Sequence, residues 1–341
     1  MTPKTQQTHT PATHTLVTGG AGFIGSHLAD HLLAQGHTVT VVDDLSTGCL
    51  RNVAHMEGHQ RFRFIEDDVR TPGLLDQLCA ECDLAFHLAA TVGVKHILQR
   101  PIHTIENNIL GARAMLRAAS RHGVKLLLTS TASLYGHNEK LPYTEEDVYC
   151  LGPTTQSRWG YAMSKGLGEL LALAYQKERG LPVVVIRPFN TIGPRQTGAY
   201  GHVVPTFIGQ ALRDEPLTIY GDGRQHRCFC DVRDLVRAYI GLAQSEDAVG
   251  QVFNVGNDDE ISILGLAELV LAAVDQALGR DDPRPLEQRI TFVPYQEAYP
   301  EGFVEMARRI PDTTKLRRAI GWRPQIPLER TIRDILEGSR E

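Results

Sequence analysis

No uninterrupted apolar run in the chain approaches the roughly 18 residues that suggest a membrane span. The first thirteen residues, Met1 to Thr13, are polar and Thr-rich and lack the apolar core of a secretory signal. The expected setting is therefore soluble and cytoplasmic. A basic stripe is missing as well. Lysine and arginine total 35 against 40 acidic residues, the formal net charge is -5, and dispersed cations of this kind give no nucleic-acid surface, although a few arginines can still serve a small anionic ligand. Metal-ligand spacing is also scarce. The 14 histidines form no HExxH-like cluster, and Cys79-Ala80-Glu81-Cys82, which has redox or zinc spacing, has no second Cys or His pair at a finger-like distance. The 6 cysteines read as reduced structural thiols, and no metal is expected.

What the chain does have is apolar bulk in an ordered rhythm. With 341 residues and 42% hydrophobic content, it can bury one large core or two modest ones. Apolar β-rich runs over residues 14–18, 38–43, 62–66, 83–88, 125–130 and 182–188 alternate with segments long enough for crossover helices. That pattern predicts an α/β fold with a doubly wound parallel sheet, whose ligands sit at the carboxyl ends of the strands. After Pro188 the alternation becomes irregular, with Gly and Pro clusters at Gly193-Pro194, Gly198 to Gly201 and Gly221-Asp222-Gly223. The expected division is a first domain over 14–189 plus about 229–261, and a smaller α/β substrate domain over about 190–228 plus 262–341, with the cleft between them.

Three short motifs fall at or just beyond those strand ends. Thr18-Gly19-Gly20-Ala21-Gly22-Phe23-Ile24-Gly25-Ser26 follows a strand and opens a helix; Gly19, Gly22 and Gly25 permit a tight turn and close backbone approach, and the helix amides at Phe23 and Ile24 suit a pyrophosphate. Asp43, at the end of the second strand, can accept both adenine ribose hydroxyls and would repel a 2′-phosphate, which selects NAD over NADP; Asp44 is the alternative for that role. Asp68 and Val69, after the third strand, are placed to meet the adenine, or Asp68 simply caps a turn. Leu88-Ala89-Ala90 supplies small residues where backbone must pass close to the cofactor, and Asn108 reads either as part of that lining or as a tolerated polar residue in a helix.

Thr129-Ser130-Thr131-Ala132-Ser133 ends a later strand, and Tyr161-Ala162-Met163-Ser164-Lys165 lies on a helix thirty residues after Thr131. Tyr161 and Lys165, at i and i+4, share one helix face. A neighbouring ammonium and an oxidised nicotinamide would favour phenolate, making Tyr161 a candidate base, with Thr131 bonded to the same substrate hydroxyl.

These residues resemble the extended short-chain dehydrogenase/reductase family, in its nucleotide-sugar branch, over about 14–335. Ser157 to Lys165, Arg187-Pro188-Phe189-Asn190-Thr191-Ile192-Gly193-Pro194-Arg195, Arg227-Cys228-Phe229 and Arg308-Arg309-Ile310-Pro311-Asp312 look most like UDP-glucuronate decarboxylases of the UDP-xylose synthase type. The resemblance implies a Rossmann-type NAD-binding domain and a homodimer built through a four-helix interface that includes the Tyr161 helix. It also implies that Asn190 and Arg227 hold the diphosphate of a UDP-sugar or TDP-sugar. Val204 and Tyr220 would surround the base, and Arg309 would meet the glucuronate carboxylate, with Lys95 a second candidate for that carboxylate. The implied reaction oxidises sugar C4, loses carbon dioxide from the resulting β-keto acid and re-reduces C4, giving UDP-xylose and in part UDP-4-keto-pentose.

One position departs from that pattern. Decarboxylases of this type read Thr-Ser-Glu-x-Tyr-Gly where this chain reads Thr131-Ala132-Ser133-Leu134-Tyr135-Gly136. A Ser133 hydroxyl cannot manage protons as a carboxylate does. Either the β-keto acid decarboxylates through its intrinsic lability, or the enzyme is a nucleotide-sugar 4-epimerase acting on UDP-glucose or UDP-glucuronate. A non-catalytic NAD-binding regulator is a third reading, which the presence of Tyr161, Lys165 and Thr131 opposes.

Overall fold

Strands rich in Val, Ile and Leu over their whole length need cover on both faces, and the fold provides it. The computed structural model describes residues 13–198, 201–298 and 308–338, without the side chains of residues 94–96. The polar tail as far as residue 12 and the Lys95 side chain therefore lie outside the described residues. Among these the strands are β1 (His14–Thr18), β2 (Thr38–Asp43), β3 (Phe62–Glu66), β4 (Leu84–His87), β5 (Lys125–Thr129), β6 (Val183–Pro188), β7 (Thr191–Ile192), β8 (Leu217–Tyr220), β9 (His226–Cys228), β10 (Cys230–Asp231), β11 (Val252–Val255), β12 (Glu260–Ser262) and β13 (Ile290–Val293). The helices are α1 (Phe23–Ala34), α2 (Leu74–Cys79), α3 (Val94–Gln99), α4 (Pro101–His122), α5 (Trp159–Arg179), α6 (Val203–Leu212), α7 (Val232–Gln244), α8 (Ile263–Leu278), α9 (Leu286–Arg289), α10 (Tyr295–Ala298), α11 (Thr314–Ile320) and α12 (Leu328–Gly338).

Seven strands make one parallel sheet in the order β11-β6-β5-β4-β1-β2-β3. The chain order reverses between β1 and β4, and the crevice outside the carboxyl ends at that switch point is where such sheets bind ligands. Alternate residues of each strand enter different cores. Val184 and Ile186 of β6 join Leu28, Leu32, Phe86 and Phe253 on the α1 and α7 side. Val183 and Val185 join Leu16, Met115 and Leu116 on the α4 and α5 side. All eleven are completely or almost completely buried, and each such side chain contributes about 1.5–3 kcal/mol against exposure.

A third core, separate from these, gathers Val204 and Phe207 of α6, Leu217 and Ile219 of β8, Leu266 and Val270 of α8, and Ile332 of α12. The chain crosses between the cores more than once. α7 and β11 return to the large sheet, where β11 pairs with β6, and Leu316 and Trp322 pack into the α1 and α7 core. Asp231 secures the crossing into α7: its carboxylate caps the helix by accepting from Arg233 N, and it also accepts from the Thr331 hydroxyl of α12 at 2.8 Å.

Candidate active site

The turn between β1 and α1 has room for little besides glycine. Gly19 has φ +72°, and a Cβ there would stand 2.6 Å from Ala89 N; at Gly25 it would stand 2.2 Å from Gly19 O. Gly22 feeds the chain into α1, whose first turn carries no acidic residue. Backbone packed this closely, ending at helix amides with no competing carboxylate beside them, fits a dinucleotide pyrophosphate. Phe23 and Ile24 begin that helix half-buried. Leu88 N donates to Thr18 O at 3.0 Å and Ala89 N to the Thr18 hydroxyl at 3.4 Å, so Leu88 and Ala89 pass beside Gly19, and Ala90 follows them in the chain.

Asp43 is buried and accepts from Ala21 N and Leu45 N, both at 2.9 Å, one on each oxygen. Gly22 N also bonds this carboxylate, which still has acceptor capacity for a ribose hydroxyl. Burial raises the pKa of this carboxyl while the amide bonds oppose the rise. Asp44 is exposed and bound by Ser46. The Asp68 carboxylate is engaged by Arg70 through both its backbone amide and its guanidinium, the arrangement of a capped turn, which sets the capping alternative for Asp68 ahead of the adenine contact. Val69 is buried near Gly111.

On α5, Tyr161 and Lys165 point toward the end of β5. The Tyr161 hydroxyl is hydrogen-bonded to the Thr131 side chain, and the Thr131 oxygen in turn accepts from Ser133 N at 3.1 Å. Lys165 Nζ donates to Thr129 O at 2.6 Å. Burial pushes the Tyr161 phenol above its ordinary value, with the Thr131 bond opposing. Burial also pulls the Lys165 ammonium down to about 8, against the attraction of Glu169. Both shifts work against the charged form, and a lysine near 8 still carries its ammonium at neutral pH. Asn108 is buried on α4; its Oδ1 accepts from Thr91 N at 2.9 Å and its Nδ2 donates to Ser164 Oγ at 3.2 Å. It thereby ties the loop after β4 to the catalytic helix, a stronger role than a tolerated polar residue.

The residues expected to meet the sugar nucleotide come from other elements. Asn190 Nδ2 donates to Cys228 O at 3.0 Å. Arg227 is buried on β9, paired with Ile261 of β12, and donates to His226 O at 2.7 Å. Tyr220 is 41% exposed at the end of β8, accessible to a ligand. Val204 is a correction: its side chain is fully buried in the third core because it lies on the apolar face of α6, so it presents nothing to a base. Arg309 lies in a strap whose neighbours are locked to Tyr143, with Tyr143 N donating to Ile310 O at 2.8 Å and Asp312 N to Tyr143 O at 2.7 Å. Burial raises the Tyr143 phenol, and the charges of Arg309 and Arg227 oppose that rise, so both guanidinium groups act on one ring.

Several contributors escaped the sequence reading. His87 Nδ1 meets the Thr18 hydroxyl at 2.8 Å, and burial lowers the imidazole to about 3, leaving it neutral. A Cβ at Gly48 would stand 2.7 Å from Asp43 Oδ1, so glycine is needed over the Asp43 carboxylate. Glu169 forms a buried bidentate pair with Arg187 at 2.9 and 2.8 Å; its position one turn beyond Lys165 was the available signal.

Residues 15–256 match the family model described as NAD dependent epimerase/dehydratase. The chain is 38% identical to the UDP-N-acetyl-alpha-D-glucosaminuronate decarboxylase of Bacillus cytotoxicus, over 96% of this chain and 97% of that protein. It is 40% identical to UDP-glucuronic acid decarboxylase 1 of Xenopus tropicalis, over 92% and 69% of the two chains. Among solved structures it superposes with TM-score 0.83 and 28% identity on the dTDP-glucose 4,6-dehydratase DesIV of Streptomyces venezuelae with NAD and TYD bound, covering 96% of this chain and 97% of that one. Glycine cradle, Tyr-Lys helix and near full-length similarity agree, and the chain belongs to the NAD dependent epimerase/dehydratase family, as an extended short-chain dehydrogenase/reductase of the nucleotide-sugar branch.

Proposed function

We propose that the protein is a UDP-glucuronate decarboxylase that uses NAD and proceeds through C4 oxidation. The observation that carries the reading is the strap holding Arg309 beside Tyr143, which offers a cation for a uronate carboxylate. The decarboxylase names of relatives at 38% and 40% identity support it.

When bound, NAD supplies the hydride acceptor for sugar C4 and later the donor. Tyr161 takes the C4 hydroxyl proton, Thr131 holds the same oxygen in line, and Lys165 keeps a positive charge close to the developing phenolate. Arg309 pairs with the carboxylate and Arg227 with the diphosphate. Oxidation at C4 makes a β-keto acid; its C5–carboxyl bond breaks, the electron pair enters the enolate, carbon dioxide leaves, and a proton returns to C5. Ser133 cannot supply that proton as a carboxylic acid does, which favours release of some 4-keto pentose. The two-domain division, with the sugar held by residues from the smaller part, belongs to this reading.

The same hydroxyl at Ser133 is the observation behind the second reading, a 4-epimerase. Mass spectrometry of products from UDP-glucuronate with NAD separates the two. Loss of carbon dioxide supports the decarboxylase, whereas unchanged mass with a new C4 stereoisomer removes it in favour of the epimerase. Decarboxylation of only the 2-acetamido uronate would move the substrate toward that of the Bacillus relative.

A homodimer is proposed through α4 and α5, where Ile102 and Leu170 stay 72% and 67% exposed and Leu110 and Leu167 are also accessible. Sedimentation of Leu170→Asp should give a monomer; a monomeric wild type would dismiss the interface. No helix among the described residues is long and apolar enough to cross a membrane, and a cytoplasmic location is part of the proposal.

A further inference from the structure

Arg309 lies far along the chain from the catalytic helix, yet a continuous line of buried hydrogen bonds joins its strap to α5. Glu169, one turn beyond Lys165, holds the Arg187 guanidinium at 2.9 and 2.8 Å. Arg187 Nη1 donates to the Tyr135 hydroxyl at 2.9 Å, and that hydroxyl donates to Asn254 Oδ1 at 2.7 Å. Asn254 Nδ2 donates to Tyr143 O at 2.9 Å. That carbonyl also accepts from Asp312 N, while Tyr143 N holds Ile310 O. Glu169, Arg187, Tyr135, Asn254 and Tyr143 are each no more than 3% exposed.

The direction of the line is fixed by chemistry. Burial pushes the Tyr135 phenol up to about 12, so it keeps its proton and must donate. Arg187 can only donate, which leaves Asn254 Oδ1 as the acceptor for Tyr135 and turns Asn254 Nδ2 toward the Tyr143 carbonyl. Tyr135 and Tyr143 also stack with ring centroids 4.6 Å apart. Glu145 holds the backbone of the same residue, its Oε1 accepting from Asn254 N at 2.8 Å. A local packing role would need none of this relay into the Tyr143 carbonyl, to which the distant strap is bonded.

We propose that Tyr135 and Asn254 are positioning residues that set the place of Arg309 relative to the catalytic helix, and thereby the preference for a uronate over a neutral sugar. The inference rests on the reading of Arg309 as the carboxylate partner. Tyr135→Phe removes the hydroxyl and keeps the ring, leaving Asn254 free to turn. Asn254→Asp keeps the acceptor for Tyr135 and replaces the donor facing Tyr143 O with a carboxylate oxygen.

The test measures dissociation constants of UDP-glucuronate and UDP-glucose on the full chain loaded with NADH, so that neither sugar is oxidised. Arg309→Ala serves as the reference. The expected result is that Tyr135→Phe and Asn254→Asp each weaken UDP-glucuronate binding by about 5- to 20-fold, the scale of a disrupted charge-assisted contact, with UDP-glucose changed less than about twofold. If Arg309→Ala loses uronate preference and the folded Tyr135 and Asn254 variants do not, the positioning role is wrong. Equal weakening of both sugars also overturns it, since that is what a general structural role gives. Unchanged preference in Arg309→Ala instead removes the assignment of Arg309, and the inference with it. If Tyr135→Phe fails to fold, Asn254→Asp decides.

Discussion

The residues expected at the cofactor and those expected at the sugar are placed by opposite means. On the cofactor side, the chemistry sits in contiguous stretches, Thr18 to Gly25, Thr129 to Ser133 and Tyr161 to Lys165, and each stretch is placed by the strand or helix it begins or ends. On the sugar side, Asn190, Arg227 and Arg309 come from separate segments and are placed by long-range pairs: a carbonyl of β9, an antiparallel partner in β12, and the backbone of Tyr143. Local placement makes chemistry visible as a motif. Placement by distant partners makes the same kind of residue look like any surface arginine.

That contrast is most directly broken at Tyr161. Tyr161→Phe removes the hydroxyl bonded to Thr131 and leaves the helix intact, so C4 oxidation should fall by about 10²–10⁴-fold with NAD affinity kept. Turnover near the wild-type rate would take the base role away from Tyr161. On the sugar side, Arg309→Ala should slow uronate turnover by about 10- to 100-fold and leave NAD binding as it was. Unchanged kinetics would make Arg309 a structural residue and leave the sugar side without its carboxylate partner.

Lys165 tests the cofactor side by pH. Its ammonium is drawn down to about 8 by burial, so the charge that assists Tyr161 is present below that value and lost above it. The logarithm of kcat/KM should decline as pH rises beyond about 8, approaching tenfold per unit. A profile flat from pH 7 to 10 would separate the lysine charge from catalysis.

How much was legible follows from the same division. The parallel sheet and its six leading strands could be read because a strand buried on both faces leaves an apolar run in the sequence, as in Val183-Val184-Val185-Ile186. The glycine turn was legible because Gly25 has a backbone neighbour at contact distance, which leaves the residue type no freedom. Val204 was misplaced because its segment was assigned to the base without the face of its helix, which turns the side chain into the third core. His87, Glu169 and Tyr135 were missed for another reason: each acts through a partner at least 18 residues away, His87 on Thr18, Glu169 on Arg187, Tyr135 on Asn254, and no local spacing encodes such a pairing.

Gly25→Ala sharpens the comparison from the cofactor side. The added methyl meets Gly19 O and Gly20 Cα at 2.2 and 2.7 Å, backbone atoms that cannot step aside as a side chain would. Stability should drop by about 1–3 kcal/mol and NAD affinity should drop with it, read by thermal unfolding and by NAD titration. Full NAD affinity in this variant would show that the turn does not have to be this tight to hold the cofactor.

The smallest expected effect lies at the crossing between the cores. Burial alone would raise the Asp231 pKa, but hydrogen bonds from Arg233 and Thr331 bring it below the ordinary carboxylate value. A carboxylate held low in the folded state adds stability that is fully present above its unfolded pKa and is lost as pH falls through the folded value. Asn at this position still caps α7 through its side-chain oxygen but has no charge for Arg233, whose side chain is 40% exposed, so solvent screening limits the loss. Asp231→Asn should therefore cost about 1 kcal/mol at pH 7, and the gap to the wild type should narrow as pH drops through the range where Asp231 takes up its proton. Urea unfolding at pH 7 and at several lower values measures it. A gap that stayed constant would assign the loss to hydrogen-bond geometry alone, and a gap that widened toward acid would contradict the depressed pKa.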